Sequence, residues 1–454
     1  MQSLFYKGGA VACAALLYTT LSAEEPETVY ELDEYIVSAG PGIRSVADYA
    51  TPVNVLTSED LQHESSGTLG AVLDWEPGVS SSSFAAGASR PILRGFDGPR
   101  VRILESGLDS LDVSDTSPDH GVATEPLLTE RIEVLRGPTT LLYGSSAIGG
   151  AVNVIGKEIP RRPVDPKGYE GAFEARYDTV SEGQTYLGYA TVGQEKWALS
   201  FTALDRDAKD YEVPDGAIGE EEHDEDDDHD EDDDHDEHEE SGDELENSFF
   251  ENQQYSVGGS WFFSPNSRFG LSYSRYESLY GIPGHAHAHE EEHDDDDEDH
   301  DEEEEEESVA IDLERDRFDL ELEVTELDDW ITALRVRFAY TDYEHTEQEG
   351  DEVGTVFERD GWELRAEAAH GPLGFIEDGV LGIQISDTDF SAIGAEAFTP
   401  PSETITQAAF LTEHWHTGDM HYEVGGRVER ADISAEGAAS DYDDVALSLA
   451  ASAI

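Results

Sequence analysis

The sequence predicts a mainly β protein, with a small N-terminal α+β domain followed by a C-terminal antiparallel transmembrane β-barrel. Three observations carry this expectation. From about Tyr169, apolar and polar residues alternate with a period of two, the mark of strands with one wet and one dry face. The connections between these runs alternate in length, as they do when short turns lie on one side of a membrane and long loops on the other. Beyond the first 23 residues no apolar run approaches the roughly 20 residues that a spanning helix needs, so a closed barrel is the remaining way across a bilayer.

In chain order, Met1 to Ala23 carries Lys7 and then an apolar run from Val11 to Leu21, the architecture of a secretory signal peptide with cleavage expected after Ala23. The only cysteine, Cys13, sits inside that run with more apolar sequence after it. Removal is therefore expected over lipidation, and a processed chain would hold neither a disulfide nor a Cys metal site. Residues 24–48 form an acidic extension interrupted by one short apolar island, EYIVSA, comprising Glu34, Tyr35, Ile36, Val37, Ser38 and Ala39. Residues 49–160 read as alternating short helices and strands of a small globular domain.

Residues 161–454 read as barrel strands near 170–178, 184–193, 196–207, 249–263, 267–279, 309–325, 330–344, 353–369, 375–387, 403–416 and 419–432, with the start of another after them. Phe318, Leu320, Leu322 and Val324 alternate with Asp319, Glu321 and Glu323, and Leu334, Val336, Phe338 and Tyr340 alternate with Arg335, Arg337 and Ala339. Charges cannot face hydrocarbon. They are expected to point into a polar lumen while the apolar set faces lipid. The connections at 193–195, 264–266, 326–329, 371–374 and 417–418 are short, whereas 208–248, 281–308, 344–352 and 391–402 are longer, which places the longer set outside the cell. An open array of about eleven strands leaves edges unpaired, so the chain is expected to be a piece of a larger barrel.

The formal net charge is -79, and 33 of the 105 acidic residues fall in two tracts, 220–240 and 285–307. The remainder still outnumbers 26 Lys and Arg, which argues against nucleic acid and suits cations or a salty habitat. His223, His229, His235 and His238 punctuate the first tract, and His285, His287, His289, His293 and His300 the second. Imidazole nitrogen suits zinc, copper or nickel, whereas a purely acidic loop would suit calcium or magnesium. A solvated acidic linker is the bland alternative for any such run. Dense carboxylates gather cations and favour protonated imidazole, so metal must displace a proton and binding should weaken as pH falls. Asp119 and His120 place two more ligating side chains on an apparent loop. No catalytic pattern competes: Tyr143 to Gly150, YGSSAIGG, lacks the Lys-Ser/Thr of a phosphate loop, and Ser145 and Ser146 have no nearby histidine. No enzyme is expected.

Three segments occur together in family order: Leu69 to Val79 (LGAVLDWEPGV), Ser89 to Gly107 (SRPILRGFDGPRVRILESG), and Arg131 to Ile155 (RIEVLRGPTTLLYGSSAIGGAVNVI), which contains the RGP of Arg136 to Pro138. Over roughly residues 34–160 the chain resembles the plug domain of TonB-dependent outer-membrane receptors. The resemblance implies a plug inside a barrel of about 22 strands, roughly twice the number present here, and it makes EYIVSA resemble the TonB box that pairs with the periplasmic energy-coupling protein. Ser117, Pro118, Asp119 and His120 match a Ser-Pro-Asp-His stretch that supplies zinc ligands near the plug apex in zinc-uptake members, and Gly281 to His293 (GIPGHAHAHEEEH) resembles their His-rich outer loop. The implied function is TonB-dependent import of zinc, or a related divalent transition metal, across the outer membrane of a Gram-negative bacterium. Zinc would be cargo rather than catalytic cofactor. The implied partners are TonB with its inner-membrane motor complex, outer-membrane lipid and the divalent metal ion, on a monomer that binds no nucleic acid. The rival expectations are a siderophore or haem receptor and a non-transporting surface metal-binding protein.

Overall fold

The computed structural model describes residues 53–454 apart from 64–65, 165–166, 215–243, 288–306, 329, 351, 395–396 and 439, together with two short strands at Tyr35–Ile36 and Arg44–Ser45. These two strands, β1 and β2, pair antiparallel. The expected signal peptide lies outside the described residues.

The N-terminal domain follows as β3 (Asn54–Thr57), α1 (Ser58–Gln62), α2 (Leu69–Leu73), β4 (Val79–Ser81), β5 (Pro91–Leu93), β6 (Val101–Glu105), β7 (Leu108–Asp109), β8 (Thr129–Leu135) and β9 (Gly150–Gly156). Helix α1 starts at Thr57, whose side chain and that of Asp60 form a reciprocal capping box. Five strands make one sheet in the order β3-β8-β9-β6-β7, with β6 and β9 parallel and the rest antiparallel. Strands β8 and β9 are covered on both faces, one apolar and the other carrying the buried Glu133 and Asn153, whose side chains bond each other at 3.0 Å. Ile132, Val134, Val152 and Val154 enter a core with Leu61, Leu69, Val72, Leu73 and Leu93, while Leu135 and Ala151 pack with Leu104, Leu142 and Tyr143. Gly150 opens β9 at φ +146°, where an added Cβ would stand 2.7 Å from the Leu135 carbonyl. Only glycine fits that approach.

The remaining strands are β10 (Tyr169–Tyr177), β11 (Gln184–Gln194), β12 (Trp197–Ala208), β13 (Tyr211–Glu212), β14 (Glu244–Leu245), β15 (Phe250–Ser264), β16 (Ser267–His287), β17 (Glu307–Thr325), β18 (Ile331–Glu349), β19 (Glu352–His370), β20 (Asp378–Gly394), β21 (Ser402–Thr417), β22 (Met420–Ala435) and β23 (Tyr442–Ala453). All except the small β13–β14 hairpin form one twelve-stranded antiparallel sheet paired in sequence order. The sheet wraps the N-terminal domain, which touches strands from β11 to β23. Three expected strand ends fell short, and one of them is that of β20, which was expected to stop at 387 and reaches Gly394. Residues 344–352 are not a long loop, because β18 runs to Glu349 and β19 resumes at Glu352 with Glu349 and Glu352 paired. Strand β16 passes its expected end near 279 and reaches His287; Pro283 lies within the register shift between Ile282 and Ala286, where a missing N–H is tolerated.

Burial along the sheet is inverted relative to a soluble protein. On β12, Trp197, Leu199 and Phe201 are exposed while Ser200, Thr202 and Arg206 are buried. On β17 and β18 the expected alternation holds, with Arg315, Arg317, Glu321, Arg335 and Arg337 buried on the inner face against the domain. The outward face changes character partway up. Beyond Phe318, Tyr340 and Trp362, the outward positions become Asp316, Asp342 and Asp360, which pair across β17, β18 and β19 and continue to Asp389 on β20. Glu314, Glu344 and Glu358 form a second row above them. The apolar band therefore ends where these carboxylate rows begin, toward the end of the sheet with the long connections.

Candidate functional site

The loop between β7 and β8 rises from the plug-like domain to the inner wall of the sheet at the carboxylate-row end, and His120 stands in it with 1% of its surface exposed. Tyr280 of β16 fixes the loop from both sides. Its hydroxyl donates to the Asp119 carbonyl at 2.9 Å and accepts the Gly121 N–H at 2.8 Å. Gly121 is required here, since an added Cβ would lie 2.7 Å from the Gly87 carbonyl.

Two residues of β18 complete the site. His120 Nε2 lies 3.1 Å from Glu347 Oε1, and His345 Nε2 lies 4.0 Å from the same oxygen. Among the described residues, these three form the group whose ligand atoms all lie within 4.8 Å of one another, and all three are buried. The two imidazoles meet edge to face at 4.4 Å, and Phe357 packs against both. Val113, Tyr280, Ile282, Ile311, Leu313 and Tyr343 belong to the same buried cluster, which makes the surroundings dry.

The hydrogen-bond pattern asks for a cation. His120 Nδ1 faces the Val113 carbonyl at 3.2 Å and the Thr116 hydroxyl at 2.8 Å, and a carbonyl can only accept. With its proton on Nδ1, His120 turns the Nε2 lone pair toward a carboxylate oxygen. His345 Nδ1 meets the Tyr343 hydroxyl at 2.9 Å, and its Nε2 is buried without a hydrogen-bond partner. Lone pairs facing a carboxylate need either protons or a metal ion between them. A carbonyl or hydroxyl on the remote ring nitrogen is the arrangement that orients metal-bound histidines. Two imidazole nitrogens and one carboxylate fit zinc, with a fourth position open for an entering or leaving group.

Electrostatics near the loop reinforce this. Burial pushes the Asp112 carboxyl up, and one of its oxygens has no hydrogen-bond partner. Lower down, burial would raise Glu105, but Arg315 and Arg317 outweigh it and hold the carboxyl below its usual range. Arg315 donates to Glu105 at 2.7 Å, Arg206 to Glu125 at 2.8 Å, and Arg365 and Arg427 both donate to the Leu142 carbonyl at 2.7 and 3.0 Å. The inner face thus grips the domain through arginines.

Of the residues expected from sequence, His120 enters this group. Asp119 does not join it in the present geometry: its carboxylate bonds the Ser117 hydroxyl and is partly buried. His345 and Glu347 were missed. His285 and His287 lie at the end of β16, where His287 pairs in register with Glu307. His223, His229, His235, His238, His289, His293 and His300 lie outside the described residues, as do Glu34, Val37, Ser38 and Ala39, whereas Tyr35 and Ile36 form β1.

Comparison with known proteins agrees with the architecture. Residues 45–151 match the TonB-dependent Receptor Plug Domain family. The ferrioxamine receptor of Yersinia enterocolitica is 31% identical over 163 residues, 35% of this chain and 22% of that protein. The vitamin B12 transporter BtuB of Vibrio vulnificus is 31% identical over 151 residues, 32% of this chain and 24% of that one. Among solved structures, the copper transporter OprC superposes with a TM-score of 0.63 at 15% identity, over 88% of this chain and 60% of that chain. The alcaligin outer-membrane receptor FauA of Bordetella pertussis gives 0.63 at 14% identity, over 92% and 62%. This chain therefore spans less than two thirds of each of these relatives. Residues 45–151 are therefore a plug domain of the kind found in TonB-dependent receptors, and the strands that follow share the fold of these outer-membrane β-barrels.

Proposed function

We propose that the chain belongs to a receptor that imports a naked divalent transition metal, zinc in particular, across the outer membrane with energy supplied through TonB. The observation that carries this is the meeting of His120 with His345 and Glu347, brought from positions more than 200 residues apart into one dry group of two imidazoles and a carboxylate. The His-rich tracts would collect the ion outside, and the apex group would hold it on the plug. Because one ligand belongs to the plug and two to the barrel, any displacement of the plug removes His120 from the other two and weakens the site. Coupling of movement to release follows from that division.

An organic chelate is the second reading, favoured by the relatives named as ferrioxamine and vitamin B12 receptors. The two differ in what the apex touches. Zinc uptake by cells carrying the whole receptor should fall at least about 100-fold with Glu347→Gln, the upper end of the cost of disturbing the surroundings of a metal. Deleting Glu34 to Ala39 should stop uptake while leaving zinc binding to purified receptor intact. Unchanged zinc uptake in the Glu347 variant, together with accumulation of a siderophore or cobalamin, would overturn the metal reading.

A further inference from the structure

One side chain of the sheet grips the plug at the residue that matters most to the apex. Tyr280 on β16 is 1% exposed, and its ring lies against Gly87, where an added Cβ would run into the ring itself. A buried tyrosine hydroxyl ordinarily finds some partner. Here its two partners are the peptide units on either side of a single residue. The Asp119 carbonyl, which accepts at 2.9 Å, belongs to the peptide entering His120, and the Gly121 N–H, which donates at 2.8 Å, to the peptide leaving it. In a three-residue turn those two groups would bond each other. The hydroxyl stands between them instead, so both backbone torsions of His120 are set by a residue of the sheet.

We propose that Tyr280 is the positioning residue of the apex site: by clamping φ and ψ of His120, it aims that imidazole at His345 and Glu347. The frame that carries the clamp is rigid. Tyr280 pairs with Ile311 on β17, and Ile311 with Glu347 on β18, so clamp, spacer and candidate ligand occupy one row across three neighbouring strands. All three are at most 3% exposed. Neighbouring strands lie about 4.8 Å apart, which sets Tyr280 and Glu347 roughly 10 Å from each other along that row. The loop spans the gap: His120 Nε2 lies 3.1 Å from Glu347 Oε1 while the His120 backbone stays on Tyr280. Phe250, edge to face with Tyr280 at 6.4 Å, and Ile282 and Val309 of the same buried cluster hold the tyrosine in place. The loop from Ser110 to Glu125, by contrast, contains neither strand nor helix. Val113 and Thr116 orient the His120 ring within the loop, and Tyr280 fixes the loop against the wall. Withdrawal of the loop from Tyr280 frees those torsions, so His120 loses its aim in the same step that opens the site.

The metal-positioning role rests on the cation-import reading; the clamp itself does not. In the whole receptor, Tyr280→Phe keeps the ring beside Gly87 and removes only the hydroxyl. Chelator-competition titrations with zinc should then show affinity weakened about 10-fold, the lower end of the cost of removing a group that orients a ligand. In a His120→Asn background the same change should alter zinc affinity by less than about 2-fold, because Tyr280 has no ligand left to aim. A tyrosine that only supports the fold would weaken binding equally in both backgrounds. The Gly121 amide should also exchange with solvent about 10-fold faster in Tyr280→Phe, the equivalent of one hydrogen bond. Equal losses in the two backgrounds, or full zinc affinity in Tyr280→Phe where His120→Asn does weaken binding, would overturn the positioning role. If His120→Asn leaves zinc affinity unchanged, it is the apex reading that fails, and Gly121 exchange still decides the clamp: faster exchange upholds it and unchanged exchange overturns it.

Discussion

Truncating Glu105 to alanine should loosen the plug from the sheet at one place. Glu105 Oε1 accepts from Arg315 Nη1 at 2.7 Å and from the Thr124 hydroxyl at 2.8 Å, and Oε2 lies 3.4 Å from Arg317 Nε. Both guanidiniums are at most 3% exposed, so the truncation strands charge rather than returning it to water. Removing one partner of a buried pair costs about 3–5 kcal/mol. Arg317 keeps Asp319 at 3.1 Å and the Asp109 carbonyl at 2.8 Å, so the lower end, about 3 kcal/mol, applies. That corresponds to roughly a 100-fold rise in local opening. Hydrogen exchange of the intact receptor reads it directly: amides of β6 and β7 should exchange about 100-fold faster, while α1 and β3 keep their protection. Because the folded carboxyl titrates below its usual range, the tether holds at neutral pH and is lost only as pH falls through that depressed value. Unchanged exchange at β6, or an equal acceleration through the whole plug, would refute the reasoning.

Other outcomes follow from the same geometry. Burial holds the His345 imidazole down at about 4, so protons should not displace zinc from that ring until pH falls toward 4; a zinc-titration series from pH 7.5 to about 5 checks this, and a loss of about 100-fold per pH unit over that span, the slope of two competing protons, would refute it. Burial pushes Glu158 up to about 7, so its contribution to stability is full below the ordinary carboxylate range and is lost as pH rises through 7. Glu158→Gln should therefore stabilise the receptor at pH 8 by up to about 3 kcal/mol and leave it unchanged near pH 4, measured by thermal unfolding. Gly121→Ala should cost about 1–3 kcal/mol through overpacking against the Gly87 carbonyl and should weaken zinc binding by displacing His120, whereas Gly78→Ala, whose Cβ would meet nothing within 4 Å, should leave zinc affinity untouched.

Period-two alternation revealed the strands because lipid and lumen impose opposite demands on successive residues. Arg335, Arg337 and Ala339 sit on the inner face as expected. The same parity, carried upward, puts Thr341, Tyr343, His345 and Glu347 on that face as well. It went unread because Glu344 to Glu349 is polar on both faces, and such a segment resembles a loop once the strand leaves the bilayer. His120 was legible through its loop and family resemblance, but its partners depend on pairing across the plug boundary. The arginine grip was hidden for another reason: an overall charge of -79 conceals how many of 26 basic side chains are gathered on one inner surface.

The stacked carboxylates on the outward face have a thermodynamic consequence. Asp342, Asp360 and Asp389 stand directly opposite one another on successive strands, where side chains are about 5 Å apart and like charges repel, while Asp316, next in the row, is paired with Arg275 at 3.0 Å. At 0.15 M salt the Debye length of about 8 Å exceeds that spacing, and only near 1 M does it shrink to about 3 Å. The rim of this sheet is consequently a polyelectrolyte whose cohesion depends on its counterions, and its melting temperature should climb with sodium chloride long after the buried ion pairs have ceased to respond.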